Sequence, residues 1–191
     1  MIIGITGGTG CGKTTLLDHI RDAGGLILDC DAIYHELLHS DKAMLSAIES
    51  RFPGVVEDGQ LNRKKLGAIV FADAAALKDL NRITHRAVKE EVLRRLEEQP
   101  KLAAIDAIGL FEGELAELCD VTVAVTAPVE DRVRRLMARD GISEEYARSR
   151  IAAQKEEGWY RAHCDRVLEN SADLHSYSSK CLDFLKELGI M

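Results

Sequence analysis

The sequence predicts an α/β protein: a parallel sheet with helices on its faces. Three observations predict it. Short apolar runs recur at 1–6, 26–29, 102–106 and 121–125, with a weaker fifth at 167–168. Continuous runs of this kind suit strands covered on both faces. Helical patterns lie between the runs, the alternation that parallel crossovers require. Finally, Gly7, Gly8, Gly10 and Gly12 crowd the turn between the first run and the first helical pattern.

The elements follow in order. A helix over 14–21 takes up the chain after the glycines. The second run ends in Asp29-Cys30-Asp31, and a helical pattern over 32–38 follows. Between Glu36 and Gln99 there is no strand pattern. Leu45, Ile48 and Phe52 form one helical stripe, Leu66, Ile69 and Val70 another, and Leu80, Ile83, Ala87 and Val88 a third. A helical stretch of that length between two strands predicts an insert at the carboxyl edge of the sheet, where ligands enter such folds. After the fourth run, Pro128 suits a first helical turn, and Val129, Val133, Leu136 and Met137 then share a face. Ser143 is a natural N-cap for a helix carrying Ala147 and Ile151.

Composition excludes several classes. The chain has 191 residues and a formal charge of −7, enough for one compact domain with an insert. The acidity argues against a nucleic-acid partner, which needs a basic face. No run of 18 apolar residues predicts a membrane span, and the first residues lack the basic and apolar regions of a signal peptide. The cysteines at 11, 30, 119, 164 and 181 form no CxxC pair and read as free thiols of a reducing, cytoplasmic setting. His35 and His39 share a helix face without a third ligand, so no zinc site is expected.

The glycines carry the chemistry. Gly7-x-x-x-x-Gly12-Lys13-Thr14 fits the phosphate-binding loop pattern, with a strand before it and a helix after it. Backbone free of Cβ atoms can fold its N–H groups around an anion, and the helix that follows points its positive end at the same place. Lys13 supplies charge for the β- and γ-phosphates, and the Thr14 hydroxyl supplies a ligand for Mg²⁺. After the fourth run the chain reads Thr126-Ala127-Pro128-Val129, not the Asn-Lys-x-Asp of a guanine reader. A motor ATPase needs more chain. A small ATP-dependent kinase remains.

A kinase must orient and deprotonate an acceptor hydroxyl. Asp31, just past the second strand, is the candidate base, and Asp29 a structural or metal-side partner. Either would also serve as the N-cap of the helix over 32–38. Asp106, at the end of the third main run, is a candidate for the water shell of Mg²⁺, or a strand-end hydrogen-bonding residue. Arg132, Arg134, Arg135, Arg139, Arg148 and Arg150 fall within 19 residues. Arg132, Arg134 and Arg148 are expected on a solvated helix face. Arg139-Asp140-Gly141 interrupts two helices and could hinge a lid that brings arginine to phosphate.

These residues, taken together, resemble the dephospho-CoA kinase family. The similarity runs through IIGITGGTGCGKTT, LDCDAIYHELL, Ile83-Thr84-His85, GLFEGEL, VTVAVTAPVEDRVRRLMARDGISEEYARSRIAAQ and DRVLENSADL. The resemblance implies a P-loop kinase of the nucleoside-monophosphate-kinase type. It would have a five-stranded parallel sheet flanked by helices, a helical acceptor-binding insert after the second strand and a short lid after the fourth. The corresponding ranges are 1–35, 100–138 and 164–191 for the nucleotide core, 36–99 for the insert and 139–163 for the lid. The implied reaction moves the γ-phosphoryl group of ATP, with Mg²⁺, to the ribose 3′-hydroxyl of dephospho-CoA, the last step of coenzyme A synthesis. Asp31 then matches the base. Gly8, Thr9, Gly10, Cys11, Gly12, Lys13, Thr14 and Thr15 match the ATP loop. Arg139 and Arg150 match lid arginines, and Asn170 matches the loop near adenine. His85, Leu110, Phe111 and Glu112 match the acceptor side. The chain departs from the family pattern at His35 and Arg86, where arginine and proline are usual, and at Tyr160, where a basic residue is common. Two other readings stay open: another small-molecule or nucleotide kinase of the same architecture, or a non-catalytic nucleotide-binding regulator, which would lack Asp31 and the lid arginines. No dimer stripe is evident, so the oligomeric state stays open.

Overall fold

The structure, a computed structural model, describes residues 1–190. The chain begins with β1 (Ile2–Thr6), α1 (Lys13–Asp22) and β2 (Leu26–Asp29). Next come α2 (Cys30–Ser40), α3 (Lys42–Arg51), β3 (Val56–Glu57), β4 (Gln60–Leu61), α4 (Arg63–Val70) and the long α5 (Ala74–Leu96). Then follow β5 (Ala103–Asp106), β6 (Val121–Thr126), α6 (Val129–Asp140), α7 (Glu144–Ala152), α8 (Glu157–His163), β7 (Arg166–Glu169) and α9 (Leu174–Glu187).

Five strands form one parallel sheet in the order β2-β5-β1-β6-β7. The central strand β1 pairs with both neighbours, Ile3 with Ala104 and Val121, Ile5 with Asp106 and Val123. From Ile3 to Thr6 its residues are buried, which explains the continuous apolar run. Chain order departs from β1 in both directions across the sheet. The loop after β1 therefore opens at the point where parallel sheets leave a crevice for ligands. The weak fifth run is a true edge strand, with Val167 opposite Ala124 and Leu168 opposite Val125.

The chain divides into two compact units. One comprises Met1–Leu28, Pro100–Leu110 and the residues from Leu115 onward; the other comprises Asp29–Gln99 and Phe111–Glu114. In the first unit, Leu16 and Ile20 of α1 and Tyr177, Phe184 and Leu185 of α9 share a buried cluster with Ile5 of β1. Residues 139–163 belong to this unit, and they share a small separate core with α6, in which Val133 and Leu136 meet Ala147 and Ile151 of α7. In the second unit, Leu45, Ile48 and Phe52, Leu66 and Val70, and Ala87 and Val88 are buried, as their stripes predict. Leu80 and Ile83 are partly covered, Ile69 is exposed, against its stripe, and Met44 and Val92 are buried outside the predicted sets.

Two expectations need correction. The stretch 36–99 does contain strands: β3 and β4 form a two-residue antiparallel hairpin, Val56 opposite Leu61. Its turn is Asp58-Gly59, with φ of 50° and 77°. Asp-Gly is the dipeptide that tolerates such a turn, but strands of two residues are too short to show alternation. Helix α2 also starts at Cys30 rather than 32, because Asp29 caps it. All five cysteines are free thiols. Among the described residues, no helix is long and apolar enough to cross a membrane.

Candidate active site

The loop between β1 and α1 is shaped as an anion cradle. Gly12, the residue before α1, has φ 93°, a conformation that L side chains avoid. A Cβ there would also overlap the Asn170 amide. No side chain caps α1, which leaves its N-terminal amides open to an anion apart from that of Thr15, which donates to the Gly12 carbonyl at 3.3 Å. Lys13 Nζ donates to the Gly7 carbonyl at 3.1 Å and lies 3.8 Å from Asp106 Oδ1. The two side chains are only 14% and 17% exposed, so water screens the pair weakly. Asp106 thus stands at the end of β5 beside the loop lysine. The Thr14 side chain is exposed at the start of α1, and Thr15 is partly covered.

A set of polar side chains holds the loop from behind. Arg132 Nε donates to the Thr9 carbonyl at 2.9 Å, and its Nη2 to Gln154 Oε1 at 2.8 Å. The same Gln154 oxygen accepts the Thr9 N–H at 2.9 Å. Arg135 Nη1 donates to the Gly10 carbonyl at 3.2 Å, and its Nη2 to Asn170 Oδ1 at 3.3 Å. Asn170 Nδ2 in turn donates to the Cys11 carbonyl at 2.9 Å, and its backbone N–H to Thr126 at 2.8 Å. The Asn170 side chain is therefore committed to the loop. Arg132 is 8% exposed, which corrects its placement on a solvated face. The helical stripe cannot distinguish an arginine that faces solvent from one that faces another loop 123 positions away. Arg134 and Arg148 do face solvent; Arg134 pairs with Asp131, and Arg148 with Glu130 at 2.8 Å.

The two lid arginines are brought together, but on a carboxylate. Arg139 Nε and Nη2 reach Asp140 at 2.6 and 2.9 Å, and Arg150 Nη1 reaches it at 2.9 Å. The Arg139 hydrogen bonds, with help from Arg150, hold the Asp140 carboxyl down at about 2. Gly141, at φ 65°, ends α6 directly after this pair.

In the second unit, Asp29 Oδ1 accepts the N–H groups of Asp31 and Ala32, each at 3.0 Å. This makes Asp29 the helix cap and fixes the start of α2. Asp31 lies in the first turn, exposed, its carboxylate taken up by no hydrogen bond or ion pair among the described residues. His85 Nδ1 donates to the Glu112 carbonyl at 3.2 Å, and Lys89 pairs with Glu114 at 2.8 Å. These bonds explain why residues 111–114 belong to this unit. A cavity of about 740 Å³ runs along α5 here, lined among others by Lys78, Arg82, His85, Arg86, Lys89 and Glu112. Phe111 is partly covered and Glu112 exposed. Leu110, in the first unit, is fully buried, and the Leu115 and Ala116 amides donate to its carbonyl. Leu110 is thus a core residue, which corrects its placement as an acceptor contact; exposure rises along the chain from buried Leu110 through partly covered Phe111 to exposed Glu112.

The departures at 86 and 160 have local reasons. Arg86 pairs with Glu90 one turn on, at 2.8 Å, and Tyr160 is buried. Gln154, Arg132 and Arg135 were not among the residues that the sequence singled out as ligand contacts. Their roles depend on tertiary approach, and no spacing signals them.

The chain matches the family model described as dephospho-CoA kinase over residues 1–176. It is 38% identical over 182 residues to the dephospho-CoA kinase of Moorella thermoacetica, covering 92% of this chain and 86% of that one. It is 34% identical over 190 residues to that of Thermobifida fusca, covering 97% and 95%. Among solved structures, a Thermus thermophilus protein superposes with a TM-score of 0.82 at 34% identity, covering 98% and 97%. The Campylobacter jejuni dephospho-CoA kinase superposes at 0.69 and 23% identity, covering 100% and 98%, a likeness of fold. On the length of the match and the level of identity, the chain belongs to the dephospho-CoA kinase family.

Proposed function

We propose that this protein phosphorylates the ribose 3′-hydroxyl of dephospho-CoA from ATP, giving coenzyme A and ADP in the cytoplasm. The family match over residues 1–176 carries the identity of the acceptor. The cradle at Gly7–Thr14 with its half-buried lysine supports the donor side.

In this reading Lys13 and the loop amides hold the β- and γ-phosphates as charge spreads over the transferred group. Residues Gly8 to Thr15 form the binding surface. Asn170, bonded to the Cys11 carbonyl, keeps that surface in shape rather than reading adenine through its amide. The oxygen donors of Thr14 and Asp106 fit Mg²⁺, a hard cation that takes few protein ligands and keeps phosphate and water for the rest. When bound, Mg²⁺ would neutralise charge on the phosphates.

Asp31 accepts the proton of the 3′-hydroxyl. Its uncommitted carboxylate in the first turn of α2, two residues past the end of β2, suits that role. His85, Phe111 and Glu112 form the acceptor side, and the basic wall of the α5 cavity suits an anionic acceptor such as the pyrophosphate of dephospho-CoA. Arg139 and Arg150, now shared with Asp140, would turn to phosphate as the lid closes and water is excluded.

The direct test is ADP release with Mg²⁺ and ATP, measured with dephospho-CoA present and absent and with adenosine, AMP and gluconate as rival acceptors. Release only with dephospho-CoA is expected. Release with another acceptor would keep the kinase and change its substrate. ATP binding without release for any of them would favour a regulator.

A further inference from the structure

The loop peptide at Thr9 is gripped on both sides. Its N–H donates to Gln154 Oε1 at 2.9 Å and its carbonyl accepts from Arg132 Nε at 2.9 Å. The triangle closes with Arg132 Nη2 on the same Gln154 oxygen at 2.8 Å. Thr9 is 6% exposed and Arg132 8%, so these bonds form away from bulk water, where a lost partner is costly. Gly8 is packed against the triangle: a Cβ there would overlap the Arg132 guanidinium and stand 2.8 Å from Gln154 Oε1. Arg132 comes from α6, before the hinge at Gly141. Gln154 comes from just beyond α7, after the hinge. One oxygen of the lid segment is thus bonded directly to the phosphate loop.

We propose that Arg132 and Gln154 are positioning residues: a brace that holds the Gly8–Gly10 backbone in its phosphate-binding shape and ties that shape to the position of the lid. Neither residue needs to touch ATP. Without the brace the Thr9 peptide is free to turn, and nucleotide binding must order it again, which appears as lost affinity. The acceptor side should not feel the change. The inference rests on the reading of the loop as the ATP site.

The test compares the full-length wild type with Gln154→Met, Gln154→Glu and Arg132→Lys. Met keeps the length of the side chain and removes the acceptor. Glu keeps an acceptor for both donors. Lys keeps the charge but cannot make both bonds. ADP affinity with Mg²⁺ is read by calorimetric titration, the KM for dephospho-CoA by turnover, and Tm by thermal melting. Gln154→Met and Arg132→Lys should each weaken ADP by about tenfold while the acceptor KM stays put, and Gln154→Glu should bind ADP within roughly threefold of wild type. Wild-type ADP affinity in Gln154→Met, with only Tm lowered, would reduce the triangle to packing and overturn the brace. Equal weakening in Gln154→Glu and Gln154→Met would overturn the acceptor role of the Gln154 oxygen. Failure of the wild type itself to bind ADP would overturn the nucleotide reading and the brace with it.

Discussion

Among the functional residues, Asp31 and Asp29 have the same side chain two positions apart and different circumstances. Asp29 spends one carboxylate oxygen on two backbone amides and so fixes the turn that presents Asp31. Asp31 has no such engagement and is exposed. A base must be uncommitted until the hydroxyl arrives, so turnover should depend on Asp31. Asp31→Asn should lose at least about 100-fold in kcat, the usual worth of a general base, while ADP affinity by calorimetry stays near wild type. Near-normal turnover in that variant would dismiss Asp31 as the base. The sequence made the pair visible as Asp-x-Asp after a strand, but left open which residue caps the helix. The loop residues were visible for a stronger reason: only glycine tolerates φ 93° at residue 12 with Asn170 packed against it. Arg132 was misplaced because a helix stripe records which residues are apolar, not which charged residue is covered by a distant loop.

Among the elements, the main strands and long helices were legible because they are long enough to show a period or a buried run. The β3–β4 hairpin was not, nor was α8, a short helix that no side chain caps; of the lid helices only α7 was read, from its Ser143 cap with Ala147 and Ile151. Ser143 Oγ does accept from the Tyr146 amide, at 3.2 Å. The α6–α7 junction is held by a small apolar core and by Asp140, shared between Arg139 and Arg150. The folded carboxyl titrates at about 2, below the ordinary value near 3.9, so its contribution is present above about pH 4 and is lost as pH falls toward 2. The single tryptophan, Trp159 in α8, stacks on His163 at 4.1 Å and reports on this segment by fluorescence. At pH 5 Asp140→Asn should melt below wild type by Trp159 fluorescence, and the gap should narrow as both are taken from pH 5 to pH 3. A gap that stays constant over that range would mean that the ionised carboxylate does not hold the junction.

At the scale of the whole molecule, the thiols provide a test of how the covered regions are distributed. The sequence predicted five free cysteines from their scatter, and the fold places them in different surroundings. Cys11 sits inside the phosphate loop and Cys181 on α9, both in the cluster that packs helices on the sheet. Burial is the leading cause that pushes up both thiols, against nearby Arg132 and Lys13 in the case of Cys11. Burial, then the charge of Asp120, pushes Cys119 up to about 12; burial, then Asp165, pushes Cys164 up to about 11. The thiolate is the reactive form, so covered thiols with raised pKa values react slowly at pH 8. A glycine-rich loop next to two basic residues would ordinarily suggest the opposite for Cys11, a reactive thiolate beside cations. The fold decides against it because the brace and Asn170 close the loop around its backbone, leaving Cys11 3% exposed. Native protein treated with a disulfide reagent at pH 8 should therefore show slow modification at all four of these sites, while protein unfolded in guanidinium titrates five thiols promptly. Mass mapping of the native sample locates the first site to react. If that site is Cys11, and it reacts as fast as in the unfolded chain, the loop is open in solution and the closed packing around Thr9 and Gly12 is not its resting state.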